Sequence, residues 1–155
     1  MSADLCGKLE IDVESKTSPP KFYELLKHRP HHFPGASKDL IQSCDLHEGE
    51  WGKEGSVLHW NYFHEGKPKV AKEVVEDIDD DKKAITYRVI EGDLMEHYKS
   101  FKFVIQVIPK TDGEGSIVHW TIHYEKLHHE IIDPHTMIEF VHELTKYLDT
   151  HLHEA

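Results

Sequence analysis

Histidine is the residue whose abundance first suggests chemistry, because 15 imidazoles in 155 residues could bind metal or transfer protons. Their spacing argues against a shared metal centre. The chain has no H-E-x-x-H motif, and His119 and His123 on one predicted strand would stand about 13 Å apart. Three further sets fall in predicted loops, turns or the terminus: His31-His32, His128-His129 and His151-x-His153. We therefore expect exposed, solvated histidines and no metal site, with adventitious metal binding at His151 and His153 as the alternative.

Catalysis would require a nucleophile with a base, or a matched proton donor and acceptor. Neither Cys6 nor Cys44 lies in an activating motif, and no nucleophile elbow is present. If the fold encloses a hollow, four side chains are candidates for proton transfer in it: His119, Tyr62, Tyr87 and Glu125. His119 is the weakest of them, because strand alternation sets it opposite Trp120. The sequence therefore assigns no catalytic residue and no cofactor.

The segment 48–55 has part of the spacing of a phosphate-binding loop, in its glycines Gly49, Gly52 and Gly55. It joins two predicted strands and does not open a helix, so no helix N-terminus would point at a phosphate. Three glutamates surround its single lysine, Lys53. The pattern predicts a tight turn that glycine permits, with Trp51 inside it, and disfavours nucleotide binding.

Composition limits the class of protein and its partners. The formal net charge of −11 works against binding to nucleic acid or anionic membrane. No apolar run approaches the ~20 residues of a membrane-spanning helix, and residues 1–8 lack the basic and apolar regions of a secretory signal. Both cysteines fall in predicted strands and are expected to be reduced core thiols. We expect one cytoplasmic domain over residues 1–155, without nucleic acid or integral membrane as partner.

The element that organises the rest is the last one, residues 133–153, which predicts a long amphipathic helix. Asp133 is its predicted N-cap, and Pro134 suits the first turn. Apolar residues recur at i, i+3, i+4, i+7 and i+11: Met137, Phe140, Val141, Leu144 and Leu148. This face is expected to pack against a sheet.

Alternating apolar and polar residues predict seven strands. The first, 5–13, is followed by a short helix from the cap Ser18 to about His28 and by a further turn near Pro34-Gly35. The other strands are expected at 40–46, 56–63, 69–78, 84–90, 98–108 and 116–127. Short turns between them require antiparallel neighbours. The order predicts an α+β domain in which a curved antiparallel sheet grips the terminal helix.

The apolar sheet face is rich in aromatic residues: Trp60, Tyr62, Tyr87, Phe101, Phe103, Trp120 and Tyr124. Such residues can fill a core or line a hollow between sheet and helix. Taken alone, the residues favour the filled core. Periodicity also leaves open which face of strand 116–127 points inward.

Several segments in the right order along nearly the whole chain resemble the plant major latex proteins. This group is a branch of the birch pollen allergen superfamily, which also contains the class 10 pathogenesis-related proteins. The segments are 45–52 (DLHEGEWG), 60–62 (WNY), 89–94 (VIEGDL), 98–101 (YKSF) and 123–127 (HYEKL). The resemblance implies a helix-grip fold, with seven antiparallel strands, two short helices and a long C-terminal helix around a large hydrophobic cavity. It therefore favours the hollow, and Trp51 stands where the allergens usually have glycine.

The resemblance implies a nonenzymatic protein that binds, stores or transports a hydrophobic or amphipathic molecule, such as a sterol, phytohormone, flavonoid or fatty acid. It also implies a role in plant defence or stress response. The ligand would enter between the terminal helix and the loops around Pro34-Gly35, Glu65-Gly66 and Gly92. The implied contacts are Leu58, Trp60, Tyr62, Tyr87, Val89, Phe101, Phe103, Met137, Phe140, Val141 and Leu144.

Two other functions stay open at this point. One is a cyclase or isomerase similar to the norcoclaurine synthases, whose catalytic lysine position falls at or near His119. The other is ribonuclease activity, which fits the net charge of −11 poorly. A monomer or weak dimer is expected, because Lys and Glu along the strands oppose pairing of sheet edges.

Overall fold

The computed structural model describes residues 5–111 and 113–154. Met1–Asp4, on which the expectation about a secretory signal partly rests, lie outside the described residues, as do Asp112 in the predicted loop 109–115 and Ala155. The strands are β1 (Cys6–Ser15), β2 (Ile41–Glu48), β3 (Val57–His64), β4 (Lys67–Asp79), β5 (Ala84–Gly92), β6 (Tyr98–Pro109) and β7 (Ser116–Lys126). The α-helices are α1 (Pro19–His28), α2 (Phe33–Ala36) and α3 (His135–Glu154), and 3-10 turns cover Pro30–His32 and Asp93–Glu96.

The strands form one antiparallel sheet in the order β1-β7-β6-β5-β4-β3-β2. Tight turns make β2 to β7 sequential neighbours. Between β3 and β4, for example, Glu65 and Gly66 both have positive φ, at 55° and 75°, as a two-residue hairpin requires. Bulges in the β2–β3, β4–β5 and β6–β7 pairings bend the strands. The predicted α+β helix-grip fold, a curved seven-stranded antiparallel sheet around the last helix, is confirmed.

Helix α3 packs its predicted apolar face against the concave side of the sheet. All five residues of that face are at most 9% exposed: Met137, Phe140, Val141, Leu144 and Leu148. The indole N–H of Trp120 on β7 donates to Thr145 Oγ1 at 2.8 Å, and that hydroxyl donates to the Val141 carbonyl at 2.7 Å. Near the C-terminal end, Asp149 accepts hydrogen bonds from the hydroxyls of Ser15 at 2.7 Å and Thr17 at 2.8 Å. These contacts fix the helix relative to the sheet.

The prediction of Asp133 as the helix N-cap is wrong. Helix α3 begins at His135, and the Pro134 carbonyl accepts from the N–H groups of Met137 and Ile138 at 3.1 and 3.3 Å. The Asp133 carboxylate instead accepts a 2.6 Å hydrogen bond from the Tyr124 hydroxyl and lies 3.0 Å from Lys126 Nζ. Tertiary partners therefore replace the local capping bond.

Strand β7 lies between β1 and β6, and the face that carries Trp120 is the one that packs against helix α3. Its inward residues are Val118, Trp120, Ile122 and Tyr124, each at most 6% exposed. His119 and His123 lie on the outer face. The face assignment that periodicity left open is thus Trp120 inward and His119 outward.

Two smaller expectations are wrong. Cys6 is exposed at the start of β1, whereas Cys44 is buried as predicted. His31 is not a freely solvated histidine, because its ring stacks on Trp51 with centroids 4.2 Å apart and its Nδ1 is buried. Within residues 5–111 and 113–154, no helix combines the length and the apolarity needed to cross a membrane.

Candidate binding cavity

An apolar cavity lies between the concave face of the sheet and helix α3. We call it the inner chamber. Its volume is about 70 Å³. Its wall comprises Phe33, Ile41, Trp60, Tyr62, Ala71, Glu73, Tyr87, Leu94, Phe103, Ile105, Trp120, Met137, Phe140, Val141 and Leu144. The aromatic side chains therefore fill most of the space under the helix, and a small chamber is left among them.

Eight of the eleven side chains that the resemblance implied as ligand contacts line this chamber: Trp60, Tyr62, Tyr87, Phe103, Met137, Phe140, Val141 and Leu144. The other three, Leu58, Val89 and Phe101, are at most 3% exposed but do not belong to its wall. The ring of Phe101 packs against Tyr98 and Phe103 at centroid distances of 5.0 and 5.3 Å. Alternation identifies the inward face of a strand, but not which part of that face meets the void.

Glu73 is the acidic residue of the chamber wall, and the sequence analysis did not identify it. It lies on β4 between Ala71 and Val75, two apolar residues of the inward face, and is only 8% exposed. Burial raises the pKa of its carboxyl to about 8, and no cationic side chain opposes that rise. The group is therefore mostly a neutral carboxylic acid at pH 7. Strand alternation could have identified it, because Glu73 shares one face of its strand with the apolar residues Ala71 and Val75.

Three polar groups face or border the chamber beside this acid. The indole N–H of Trp60 is buried and has no hydrogen-bond partner among the described residues. It lies near the Glu73 carboxyl and partly opposes the rise in its pKa, but the two groups do not reach hydrogen-bonding geometry. The Tyr87 hydroxyl donates a 2.8 Å hydrogen bond to the Leu26 carbonyl. Burial, and next the nearby Glu73, raise the pKa of Tyr62, so its phenol stays protonated. Trp60, Tyr62 and Glu73 thus offer hydrogen-bonding groups in an otherwise apolar wall.

A second, more polar cavity of about 300 Å³ lies at the N-terminal end of α3. We call it the vestibule. Its wall comprises Tyr62, His64, Glu65, Lys69, Asp93, Leu94, His97, Tyr98, Glu130, Ile131, Ile132, Asp133, Pro134, Thr136 and Met137. Tyr62, Leu94 and Met137 also line the inner chamber, so these three side chains separate the two cavities. Of the predicted entrance loops, those at Glu65-Gly66 and Gly92 border the vestibule, whereas Pro34-Gly35 does not.

The glycine-rich loop packs against the helical segment after β1. Gly49, Gly52 and Gly55 have φ values of 89°, 81° and 87°, which favour glycine. A Cβ at Gly52 would also meet the His28 ring, so a side chain there would have to displace that imidazole. Ser56 Oγ accepts from the Glu50 N–H at 2.9 Å and donates to the Glu50 carbonyl at 2.6 Å. The loop joins β2 to β3 as predicted, and its backbone is engaged within the fold.

The four candidates for proton transfer do not converge. His119 lies outside the chamber, with Nδ1 on Asp12 and Nε2 3.1 Å from Glu10 Oε1. Glu125 also points outward and lies 3.8 Å from Lys99 Nζ. Tyr62 and Tyr87 reach the chamber but His119 does not, and the cyclase or isomerase alternative, which would use a histidine or a tyrosine there, is not favoured. In the described part of the chain, no three His, Cys, Asp or Glu side chains are arranged to hold a metal ion.

Known proteins are similar to this chain in sequence and in fold. The family model described as the pathogenesis-related protein Bet v 1 family matches residues 4–155. MLP-like protein 31 of Arabidopsis thaliana is 51% identical over 151 residues, which are 97% of this chain and 88% of that protein. MLP-like protein 28 of the same plant is 53% identical over 151 residues, 97% of this chain, but the chain spans only 45% of its length. The crystal structure of ginseng major latex-like protein 151 from Panax ginseng matches with a TM-score of 0.90 at 42% identity, covering 95% of this chain and 97% of the ginseng chain. The chain therefore belongs to the Bet v 1 family of pathogenesis-related proteins, in its major latex protein branch.

Proposed function

We propose that this protein binds a small amphipathic molecule in the inner chamber and carries or stores it without transforming it. The observation that carries the proposal is the wall itself, which is apolar apart from a few hydrogen-bonding groups on Glu73, Trp60 and Tyr62. Ligand pockets combine a largely apolar lining with a small number of such polar groups, because apolar contact supplies affinity and the polar groups fix orientation. Two of the four candidates for proton transfer, His119 and Glu125, lie outside the chamber, which favours binding over catalysis.

Apolar contact supplies most of the expected affinity. A ligand that buries about 300 Å² of apolar surface gains about 7.5 kcal/mol at ~25 cal/mol per Å², which by itself corresponds to micromolar affinity. The loss of translational and rotational freedom offsets part of this gain, so we expect dissociation constants weaker than micromolar from apolar contact alone. The chamber of about 70 Å³ must also widen for a larger ligand, and the unbranched side chain of Met137 in its wall is suited to such adjustment.

The direct test combines extraction with a chamber-filling variant. Native mass spectrometry of the protein from its own tissue, followed by denaturing extraction, is expected to identify a stoichiometric hydrophobic compound. Val141→Phe, which adds volume to the chamber wall, is expected to weaken binding of the neutral dye Nile red by about tenfold or more. Val89→Phe is the matched control, since Val89 is 3% exposed but does not line the chamber. Absence of any ligand, together with equal dye binding in wild type and both variants, would contradict the proposal.

We also propose a cytosolic location and a role in defence or stress response. The cytosolic location is supported by the free, exposed thiol of Cys6, because exposed thiols persist in reducing compartments. The physiological role is supported by membership of a pathogenesis-related family alone. Fractionation of plant tissue with an antibody to the protein, before and after pathogen or salt challenge, tests both parts.

A further inference from the structure

We propose that the ligand is an uncharged amphipath with hydrogen-bonding groups at both ends, one meeting Glu73 and Trp60 in the inner chamber and the other remaining in the vestibule. This inference rests on the proposed function and names the ligand class that the two adjoining cavities fit. It excludes anionic amphipaths, including fatty-acid carboxylates, as preferred ligands.

The inner end of the site calls for an oxygen that both accepts and donates. The buried indole N–H of Trp60 lacks a partner among the described residues, and an unpaired buried donor is unfavourable until an acceptor reaches it. The neighbouring Glu73 carboxyl offers a donor and an acceptor when neutral. A ligand hydroxyl can accept from Trp60 or Glu73 and donate to the Glu73 carbonyl oxygen. A ligand carboxylate would bring negative charge beside a buried acid that no cation compensates.

The outer end of the site also disfavours anions. Carboxylates of Glu65, Asp93 and Glu130 line the vestibule together with Lys69, His64 and His97. The fourth carboxylate, Asp133, is engaged by Tyr124 and Lys126, and Asp93 Oδ2 accepts a 2.7 Å hydrogen bond from the Val70 N–H. Ligand hydroxyls can donate to the remaining carboxylate oxygens without the desolvation penalty of a full charge. An uncharged hydroxylated group therefore fits this wall better than a carboxylate, sulfate or phosphate.

The two cavities adjoin at side chains that a long ligand would have to displace. Tyr62, Leu94 and Met137 line both, so a hydrocarbon chain that displaces Leu94 and Met137 would pass directly from one to the other. Leu94 is half-buried on the 3-10 turn Asp93–Glu96, and Met137 lies in the first turn of α3. The inner chamber of about 70 Å³ is too small for such a chain, whereas the vestibule adds about 300 Å³.

A set of ligands with one hydrocarbon length tests the inference. Lauryl alcohol, the α,ω-diol of the same chain, laurate and laurylamine would each be titrated against bound Nile red at pH 7, below their micellar concentrations. The diol is expected to bind most tightly, by about tenfold or more over laurate, since it alone offers an uncharged hydrogen-bonding group at each end. The alcohol is expected to be intermediate.

Variants at Glu73 assign the inner end. Glu73→Gln, which keeps a hydrogen-bonding group without charge, is expected to retain the preference for the diol over the alcohol, and Glu73→Leu is expected to lose it. Glu48→Gln is the control, because Glu48 is exposed on β2 far from the chamber wall. If Glu73→Leu does not fold, the wild type and Glu73→Gln compared at pH 7 and pH 9 replace it: only the wild type is expected to weaken its diol binding at pH 9.

The outcomes separate this inference from the proposed function. Tightest binding of laurate or of laurylamine would overturn the uncharged ligand class while leaving the carrier function in place. If the preference for the diol survives in Glu73→Leu, the role of Glu73 is overturned. If Glu73→Leu does not fold, equal diol binding by wild type and Glu73→Gln at pH 9 overturns it. If neither Nile red nor any of the four compounds binds, the proposed function itself fails.

Discussion

The burial of Glu73 predicts that stability falls as pH rises through the neutral range. The carboxyl has its ordinary pKa of 4.5 when the chain is unfolded and a pKa of about 8 in the folded protein. Between these values the folded state holds a proton that the unfolded state has released, so the free energy of unfolding falls with increasing pH. The contribution of Glu73 is fully present below pH 4.5 and is lost by about pH 8.

The size of this effect follows from the span of the shift. Each pKa unit corresponds to about 1.4 kcal/mol, and a span of roughly 3.5 units corresponds to about 5 kcal/mol, as an order of magnitude. Glu73→Gln has no proton to lose and lacks this dependence. Relative to wild type, the variant is therefore expected to gain stability steadily from pH 5 to pH 8 and to level off above that range.

Urea unfolding followed by tryptophan fluorescence at pH 5, 7 and 9 measures the difference directly. The quantity to compare is the free energy of unfolding of Glu73→Gln minus that of wild type at each pH, because the titration of all other groups cancels in this difference. Glu48→Gln, at an exposed position, is the control and is expected to show a nearly constant difference. If the difference in free energy of unfolding between Glu73→Gln and wild type varies by less than about 1 kcal/mol from pH 5 to pH 9, the assignment of Glu73 as a buried neutral acid is refuted.

Two other predictions test features outside the chamber. His119 is partly desolvated, which lowers its pKa, but hydrogen bonds to Asp12 and Glu10 outweigh this and hold the pKa above 6.5. Its stabilising effect is thus fully present below pH 6.5 and is lost as pH rises through the folded pKa. We therefore expect His119→Gln to lower the free energy of unfolding in urea by about 1 kcal/mol at pH 5.5 and by less at pH 8.5, and to leave Nile red binding unchanged. An equal loss of stability at the two pH values would contradict the ion pairs. Gly52→Ala is expected to lower the free energy of unfolding by about 2 kcal/mol or more, because φ is 81° and the added Cβ would lie 2.4 Å from His28 Nδ1. Gly66→Ala, with φ of 75° and nothing within 4 Å of its Cβ, is the matched control for backbone strain alone, and equal thermal shifts in the two variants would exclude the steric part.

The sheet and the apolar face of the last helix were accessible from sequence because both depend on local periodicity. Alternation along 56–63 and 84–90 predicted the burial of Trp60, Tyr62, Tyr87 and Val89. Short turns such as Glu65-Gly66 required neighbouring antiparallel strands, and the structure has them. The apolar spacing of Met137 to Leu148 likewise predicted the face that packs on the sheet. Each of these inferences uses only residues that lie close together along the chain.

The tertiary structure alone decided the features that set the binding chemistry. Asp133 had the sequence of an N-cap, but Tyr124 and Lys126 engage its carboxylate. Glu73 looked like an ordinary strand residue until burial beneath the helix changed its protonation. The inner chamber depends on how aromatic side chains from several strands and two helical segments meet. Its volume is the small space that packed side chains leave, so it follows from where every element sits and cannot be read from the periodicity of any one of them.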